Sequence, residues 1–112
     1  MIIIDSREDS QLSRAVVNIA ESNKIETEKK WLEIGDYIIG DCCIEAKSAA
    51  DFLQSIRNKR IFNQLDNMDR EYNKNIILIY GTLDDAISYL QRTQHNTAAW
   101  DRDWETNSSQ RD

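Results

Sequence analysis

The chain has 112 residues, 40% of them hydrophobic and 30% charged, which suits one small core and excludes a chain disordered throughout. Its net charge of −6 is the wrong sign for broad attraction to polyanions, which depends on Lys and Arg displacing condensed counterions. No apolar run is long enough to span a bilayer, and Met1 to Ile4 meets Asp5 at once instead of forming a leader, so an intracellular protein with no membrane partner is expected.

Taken in chain order, the pattern predicts an α/β domain. Ile2 to Ile4 suits a buried strand with Asp5 at its C-terminal end, and Leu12, Ala15, Val16, Ile19 and Ala20 repeat at helical spacing. Ile25 to Trp31 alternates as an exposed strand. Tyr37-Ile38-Ile39 and Cys42-Cys43-Ile44 read as a hairpin joined by Gly40-Asp41, a pair suited to a type II′ turn with Gly first. Ser48 is a good N-cap, with Asp51 three residues on, for a helix whose inner stripe is Ala49, Phe52, Leu53 and Ile56. Arg57-Asn58-Lys59-Arg60 is the densest basic cluster, and a further helix groups Phe62, Leu65, Met68 and Tyr72 on one face as core or dimer contacts. Ile76 to Tyr80 is uninterruptedly apolar, as in a strand covered on both faces, and Thr82 then caps a helix bearing Leu83, Ala86, Ile87 and Leu90.

The apolar period stops after Arg92, so residues 1–92 are expected to form the domain and residues 93–112 a polar tail, disordered or truncated, with Trp100 and Trp104 one helical turn apart. His95 is read as incidental. The two cysteines are adjacent in a strand and point to opposite faces, which predicts reduced thiols and argues against a zinc site.

The hairpin carries the chemistry. If its register continues, Asp36 falls opposite Glu45, two like charges with Cβ atoms roughly 5 Å apart that destabilise the pair unless something offsets them. Alternation puts Lys47 on the same side as Glu45. Two carboxylates and an ammonium suit a hard divalent ion, Mg²⁺ or Mn²⁺, which takes one or two carboxylates and completes its shell with water and phosphate oxygens. The competing reading is a solvated hairpin whose charges face water. The basic cluster likewise reads either as a phosphate contact or as a solvated helix end favoured by the helix dipole.

Five motifs in order, Asp5-x-Arg7-Glu8, Gly35-Asp36-Tyr37, Glu45-x-Lys47-x-x-x-Asp51, Arg60-x-x-x-Gln64 and the apolar run Ile76 to Tyr80, resemble the nuclease domain of the XPF/Hef family of structure-specific endonucleases over about Met1 to Gly81. The resemblance implies a restriction-endonuclease-like fold, a mixed central sheet flanked by helices, here without the family's last strand and helix. It implies a metal-dependent endonuclease acting on branched, flap or fork DNA in repair or recombination, as a homodimer or heterodimer. Asp36 and Glu45 would bind Mg²⁺ or Mn²⁺, with Asp5 or Glu8 joining the acidic site, and Lys47 would position the attacking water or stabilise the phosphate. Arg7, Arg57, Lys59, Arg60 and Gln64 would contact DNA. Asp51 is explained by helix capping instead. One departure stands out: Ala46 occupies the place of the family's Arg between Glu and Lys, on the face away from the site. A catalytically weak scaffold that dimerises and docks DNA for a partner, and a small acidic protein-interaction domain, are the alternative readings.

Overall fold

The computed structural model of the protein describes residues 1–94, which fall into two units, Met1–Tyr80 and a second beginning at Gly81. In the first, β1 (Ile2–Asp5), β2 (Thr27–Lys30), β3 (Tyr37–Ile39), β4 (Cys42–Ser48) and β5 (Lys74–Tyr80) form one sheet in the order β2-β1-β3-β4-β5. Its helices are α1 (Gln11–Ser22), α2 (Ala49–Arg57) and α3 (Arg60–Glu71). The sheet is mixed: β1 runs parallel to β2 and β4 to β5, whereas β3 is antiparallel to both of its neighbours. Parallel neighbours need a long crossover, which α1 supplies for one pair and α2 with α3 for the other. The second unit contributes α4 (Leu83–Gln94), opened by a reciprocal cap in which the Asp85 N–H donates to Thr82 Oγ1 (3.1 Å) and the Thr82 N–H to Asp85 Oδ2 (3.3 Å). The expectations for residues 93–112, including His95, Trp100 and Trp104, otherwise fall outside the described residues.

The hairpin forms in the expected register, with Tyr37 opposite Ile44, Ile38 opposite Cys43 and Ile39 opposite Cys42. Gly40 has φ +59° while Asp41 keeps a negative φ, the sign pattern of a type II′ turn. Because directly paired residues share a face, Ile3, Ile38 and Cys43 lie on one side of the sheet and Ile4, Tyr37 and Ile44 on the other. On the first side Ile38, Cys43 and Met68 of α3 are buried together, with Ile3, Leu32, Ile34, Tyr72 and Ile77 packed around them. On the second, Ile4 and Tyr37 are buried. Alternation along β4 then carries Glu45 and Lys47 onto the side of the Met68 core.

Three helical stripes agree with the sequence in part: Ala20 and Met68 are buried and Leu12, Val16, Ala49, Phe52, Leu53 and Tyr72 half-buried, whereas other positions depart from the expectation. On α3, Ile61 and Met68 turn inward while Phe62 and Leu65 stand exposed. The packing of Met68 onto Cys43 fixes the helix about its axis and overrides the larger apolar residues. On α1 the inner position near the N-terminus is Ser13, whose hydroxyl closes a capping box with Ser10 (2.9 and 3.1 Å), and Ile19 is exposed. On α2, Ser55 is fully buried, its hydroxyl donating to the Phe52 carbonyl at 2.8 Å, and Ile56 is exposed. Strand β5, expected to be covered on both faces, stands at the edge of the sheet with Ile76, Leu78, Ile79 and Tyr80 exposed.

Gly35, just before β3, has φ +86°, and a Cβ there would collide with Cys43 Sγ. No other residue type satisfies both constraints. Gly35→Ala should therefore destabilise the domain by about 2 kcal/mol or more, read as a lowered urea midpoint. Adding Cys43→Ala should recover the steric part of that loss in a double-mutant cycle; additive losses would place the constraint elsewhere.

Candidate active site

The site is built where the C-terminal end of β1 meets the start of β3 and the middle of β4. Gly35 swings the chain in, and the Asp36 N–H then donates to the Ile44 carbonyl at 2.9 Å, although β3 already pairs Ile44 with Tyr37. Two residues thus oppose one, as in a β-bulge. Direct opposition of Asp36 and Glu45, expected from an unbroken hairpin, gives way to an offset arrangement. Asp36 lays its carboxylate along the end of β4, where Oδ2 accepts the Ala46 N–H at 2.8 Å. The Asp5 N–H donates to the Asp36 carbonyl at 2.8 Å, which ties the end of β1 to the same turn.

Asp5, Asp36 and Glu45 line one cavity of about 190 Å³, together with Arg7, the Glu33-Ile34-Gly35 approach to β3, and Gln64, Asn67 and Met68 of α3. Five residues singled out in the sequence therefore converge: Asp5, Arg7, Asp36, Glu45 and Gln64. Lys47 is buried on the same sheet face as Glu45 and forms no ion pair among the described residues.

Burial and mutual repulsion couple the carboxyls of this group. Burial pushes the Asp36 carboxyl up to about 6, against the pull of the Ala46 N–H and with the help of the negative charges of Glu8 and Asp5. Burial, followed by repulsion from Asp36, pushes Glu45 up to about 7, while the Lys47 ammonium favours the ionised form of both. Glu45 accepts no hydrogen bond among the described residues, and Asp36 keeps Oδ1 free.

Asp5 and Glu8 are less available. Asp5 is buried with Oδ1 accepting the Leu32 N–H (3.1 Å) and Oδ2 paired to Arg7 Nε (3.0 Å). Arg7 also donates to the Leu32 carbonyl at 2.6 Å and lies 5.1 Å from the Trp31 ring centroid. Glu8 stands outside the cavity lining, where its Oε2 accepts from the Ser10 hydroxyl (3.2 Å) and the Tyr37 hydroxyl (3.4 Å). The basic cluster occupies the turn from α2 to α3. Arg57 ends α2, Lys59 takes a left-handed φ of +64°, and Arg60 opens α3 with its N–H and Nε both on Asn58 Oδ1. None of the three lines the cavity.

The donor set fits a hard divalent cation in one respect and limits it in another. Carboxylate and amide oxygens are the ligands such an ion takes, and a cation would relieve the repulsion that raises Asp36 and Glu45. Among the described residues, however, no three His, Cys, Asp or Glu side chains converge closely enough to hold an ion alone. Two carboxylates with water and phosphate oxygens remain a sufficient set for Mg²⁺. The bulge, the Ala46 N–H and the Arg7–Trp31 contact were missed by sequence reading. The first two are backbone events, and only the Gly35-Asp36 pair hinted at them.

Comparison with known proteins gives the same architecture. The model of the ERCC4 domain family matches residues 4–110. A helicase-named protein of Methanocaldococcus jannaschii, MJ1505, is 37% identical over 81 residues, 71% of this chain. The DNA repair endonuclease UVH1 of Arabidopsis thaliana is 32% identical over 79% of the chain, and the DNA repair endonuclease XPF of Dictyostelium discoideum 35% identical over 70%. The chain spans only 8 to 10% of the length of these three relatives. XPF from Aeropyrum pernix superposes with a TM-score of 0.63 at 24% identity, covering 86% of this chain and 50% of that one. The same archaeal protein solved in complex with DNA gives 0.61 at 23%. These likenesses establish the fold.

The raised carboxyls have a consequence for stability. Asp36 and Glu45 hold protons more tightly in the fold than in the unfolded chain, so the folded state binds more protons between the ordinary carboxylate value, about 4, and about 7. Their destabilisation is absent below that window and complete above it. In EDTA the thermal midpoint should fall as pH rises through the window, and Asp36→Asn with Glu45→Gln should flatten the fall. Parallel pH profiles for the wild type and the double variant would show that these two groups do not govern it.

Proposed function

This chain belongs to the ERCC4 domain family, and we propose that it is the nuclease module of a metal-dependent, structure-specific endonuclease that hydrolyses phosphodiesters in branched or flap-like DNA. The observation that carries the reading is the convergence of Asp36 and Glu45 in one half-buried cavity with the buried Lys47 on the same sheet face. The relatives named DNA repair endonucleases and the archaeal XPF solved with DNA support the substrate class.

In this reading Asp36 and Glu45 would hold Mg²⁺ or Mn²⁺, which would supply polarisation of the scissile phosphate and a lowered pKa for an attacking water. Lys47, on the same sheet face and near enough to favour the ionised form of both carboxyls, would orient that water or offset charge growing on the phosphate. Asp5 acts as a positioning residue, holding Arg7 against Leu32 and Trp31 at the cavity wall. Arg57, Lys59 and Arg60 give the basic turn that contacts DNA phosphates, with Arg60 one helical turn before Gln64. A net charge of −6 makes this grip modest and salt-dependent. Exposed Phe62 and Leu65 and the apolar edge strand β5 support assembly as a homodimer or heterodimer.

The scaffold reading is favoured by one feature, Ala46. It sits on the opposite face from Glu45, paired with Leu78 of β5, and contributes only its N–H to the site. Cleavage of branched DNA by the wild type, raised further by Ala46→Arg with Mn²⁺ affinity unchanged, favours the enzyme. Cleavage that appears only in the arginine variant favours the scaffold.

Lys47→Ala and Glu45→Gln should each lower flap-DNA cleavage by about 100-fold or more while the fold, followed by circular dichroism, is retained. Millimolar Mg²⁺ or Mn²⁺ should raise the thermal midpoint of the wild type by mass action, and Asp36→Asn should abolish that response. Undiminished cleavage by both catalytic variants would assign the activity to another site.

A further inference from the structure

The inward stripe of α3 contains a polar interruption. Ile61 and Met68 are buried, and between them, three residues after one and four before the other, lies Gln64. A stripe selected for packing alone would carry an apolar side chain there. The Gln64 Oε1 atom is shut off from solvent and takes no hydrogen bond among the described residues. A buried acceptor left without a donor calls for an explanation, and an ion or a bound water is the usual one.

Register brings Gln64 level with Glu45. Met68 packs in the same core as Cys43. Two residues along a strand advance about 6.7 Å, and four along a helix about 6 Å, so stepping from Cys43 to Glu45 on β4 matches stepping from Met68 back to Gln64 on α3. Gln64 lines the same cavity as Asp36 and Glu45. The chemistry of the amide oxygen narrows its role further. It only accepts, as phosphate oxygens do, so it cannot satisfy itself on a DNA backbone and needs a donor or a cation. The two carboxylates leave most of an ion's coordination shell to water and other oxygens. A neutral hard oxygen enlarges the donor set without adding negative charge.

We propose that Gln64 is a positioning residue of the cation site: its Oε1 is the neutral oxygen by which α3 holds the hydrated divalent cation carried by Asp36 and Glu45. This rests on the cation site proposed above. It places the tether on α3, the helix that Arg60 opens, so the basic turn and the ion are joined through one rigid element.

Calorimetric titration of the full chain with Mn²⁺, free of DNA, tests this directly in the wild type, Asp36→Asn, Gln64→Leu, Gln64→Met and Gln64→Glu. Gln64→Leu and Gln64→Met remove an orphaned acceptor, so both should keep or raise the metal-free thermal midpoint. Their Mn²⁺ dissociation constants should nevertheless rise about tenfold or more, the scale on which residues outside the direct ligand set act. Gln64→Glu, which keeps an oxygen in place, should restore binding. Flap cleavage by the leucine variant should recover at saturating Mn²⁺, a shift in metal requirement and not in turnover. Wild-type affinity in both apolar variants, with binding lost in Asp36→Asn, overturns the role of Gln64 and leaves the cation site standing. Absence of Mn²⁺ binding in the wild type itself overturns the site and this inference together.

Discussion

Everything at the site depends on one backbone offset held by two hydrogen bonds. The Asp36 N–H reaches the Ile44 carbonyl one residue out of register, and the Asp36 carboxylate then accepts the Ala46 N–H. The first bond ends the β3–β4 ladder at Tyr37 and Ile44; the second fixes one oxygen of Asp36 and leaves the other directed elsewhere. An unbroken hairpin would set Asp36 face to face with Glu45, where like charges destabilise the strand pair. The bulge separates them while keeping both at one cavity. Gly35 makes the offset available, because only glycine fits its positive φ against Cys43 Sγ.

The rest of the fold converts that local geometry into a site of unusual electrostatics. The sheet places Asp5 at the end of β1 and Glu45 two residues beyond the buried Cys43 on β4, and α3 closes the cavity through Met68. Burial raises Asp36 and Glu45 despite the ammonium of Lys47. Carboxyls pushed toward neutrality together in one cavity are the kind of perturbed groups that cluster at functional sites. Asp5, the most buried of the acids, is already paired with Arg7, so its contribution is to the cavity wall more than to an ion.

Much of this was legible in the sequence, and the parts that were not share a cause. Nine elements could be read from apolar period, N-caps and the Gly40-Asp41 turn, because each of those signals is local. Glu45 and Lys47 came from strand alternation along β4, which survives into the structure, whereas Asp36 came from an unbroken hairpin register that the bulge interrupts. The stripes of α1, α2 and α3 were legible only in part, because helix rotation is set by tertiary packing: Ala20 and Met68 are inner as read, while packing in the Cys43 core leaves Phe62 and Leu65 outward. The bulge escaped because it is a backbone register event with no residue signature beyond Gly35. The pairing of Asp5 with Arg7 and Leu32 escaped because Leu32 lies on a distant segment. Gln64 was visible as part of a motif, yet its acceptor oxygen points to a role that a sequence reading of DNA contact does not supply.

The proposed chemistry requires Asp36 and Glu45 to share one divalent cation. A crystal of the protein soaked in Mn²⁺ and measured at the manganese absorption edge locates that ion without reference to activity. A single strong anomalous peak is expected in the cavity, within direct coordination distance of Asp36 Oδ1 and a Glu45 carboxylate oxygen, about 2.0 to 2.6 Å for hard oxygen ligands. A peak held elsewhere on the surface, or none in the cavity at saturating Mn²⁺, would contradict it.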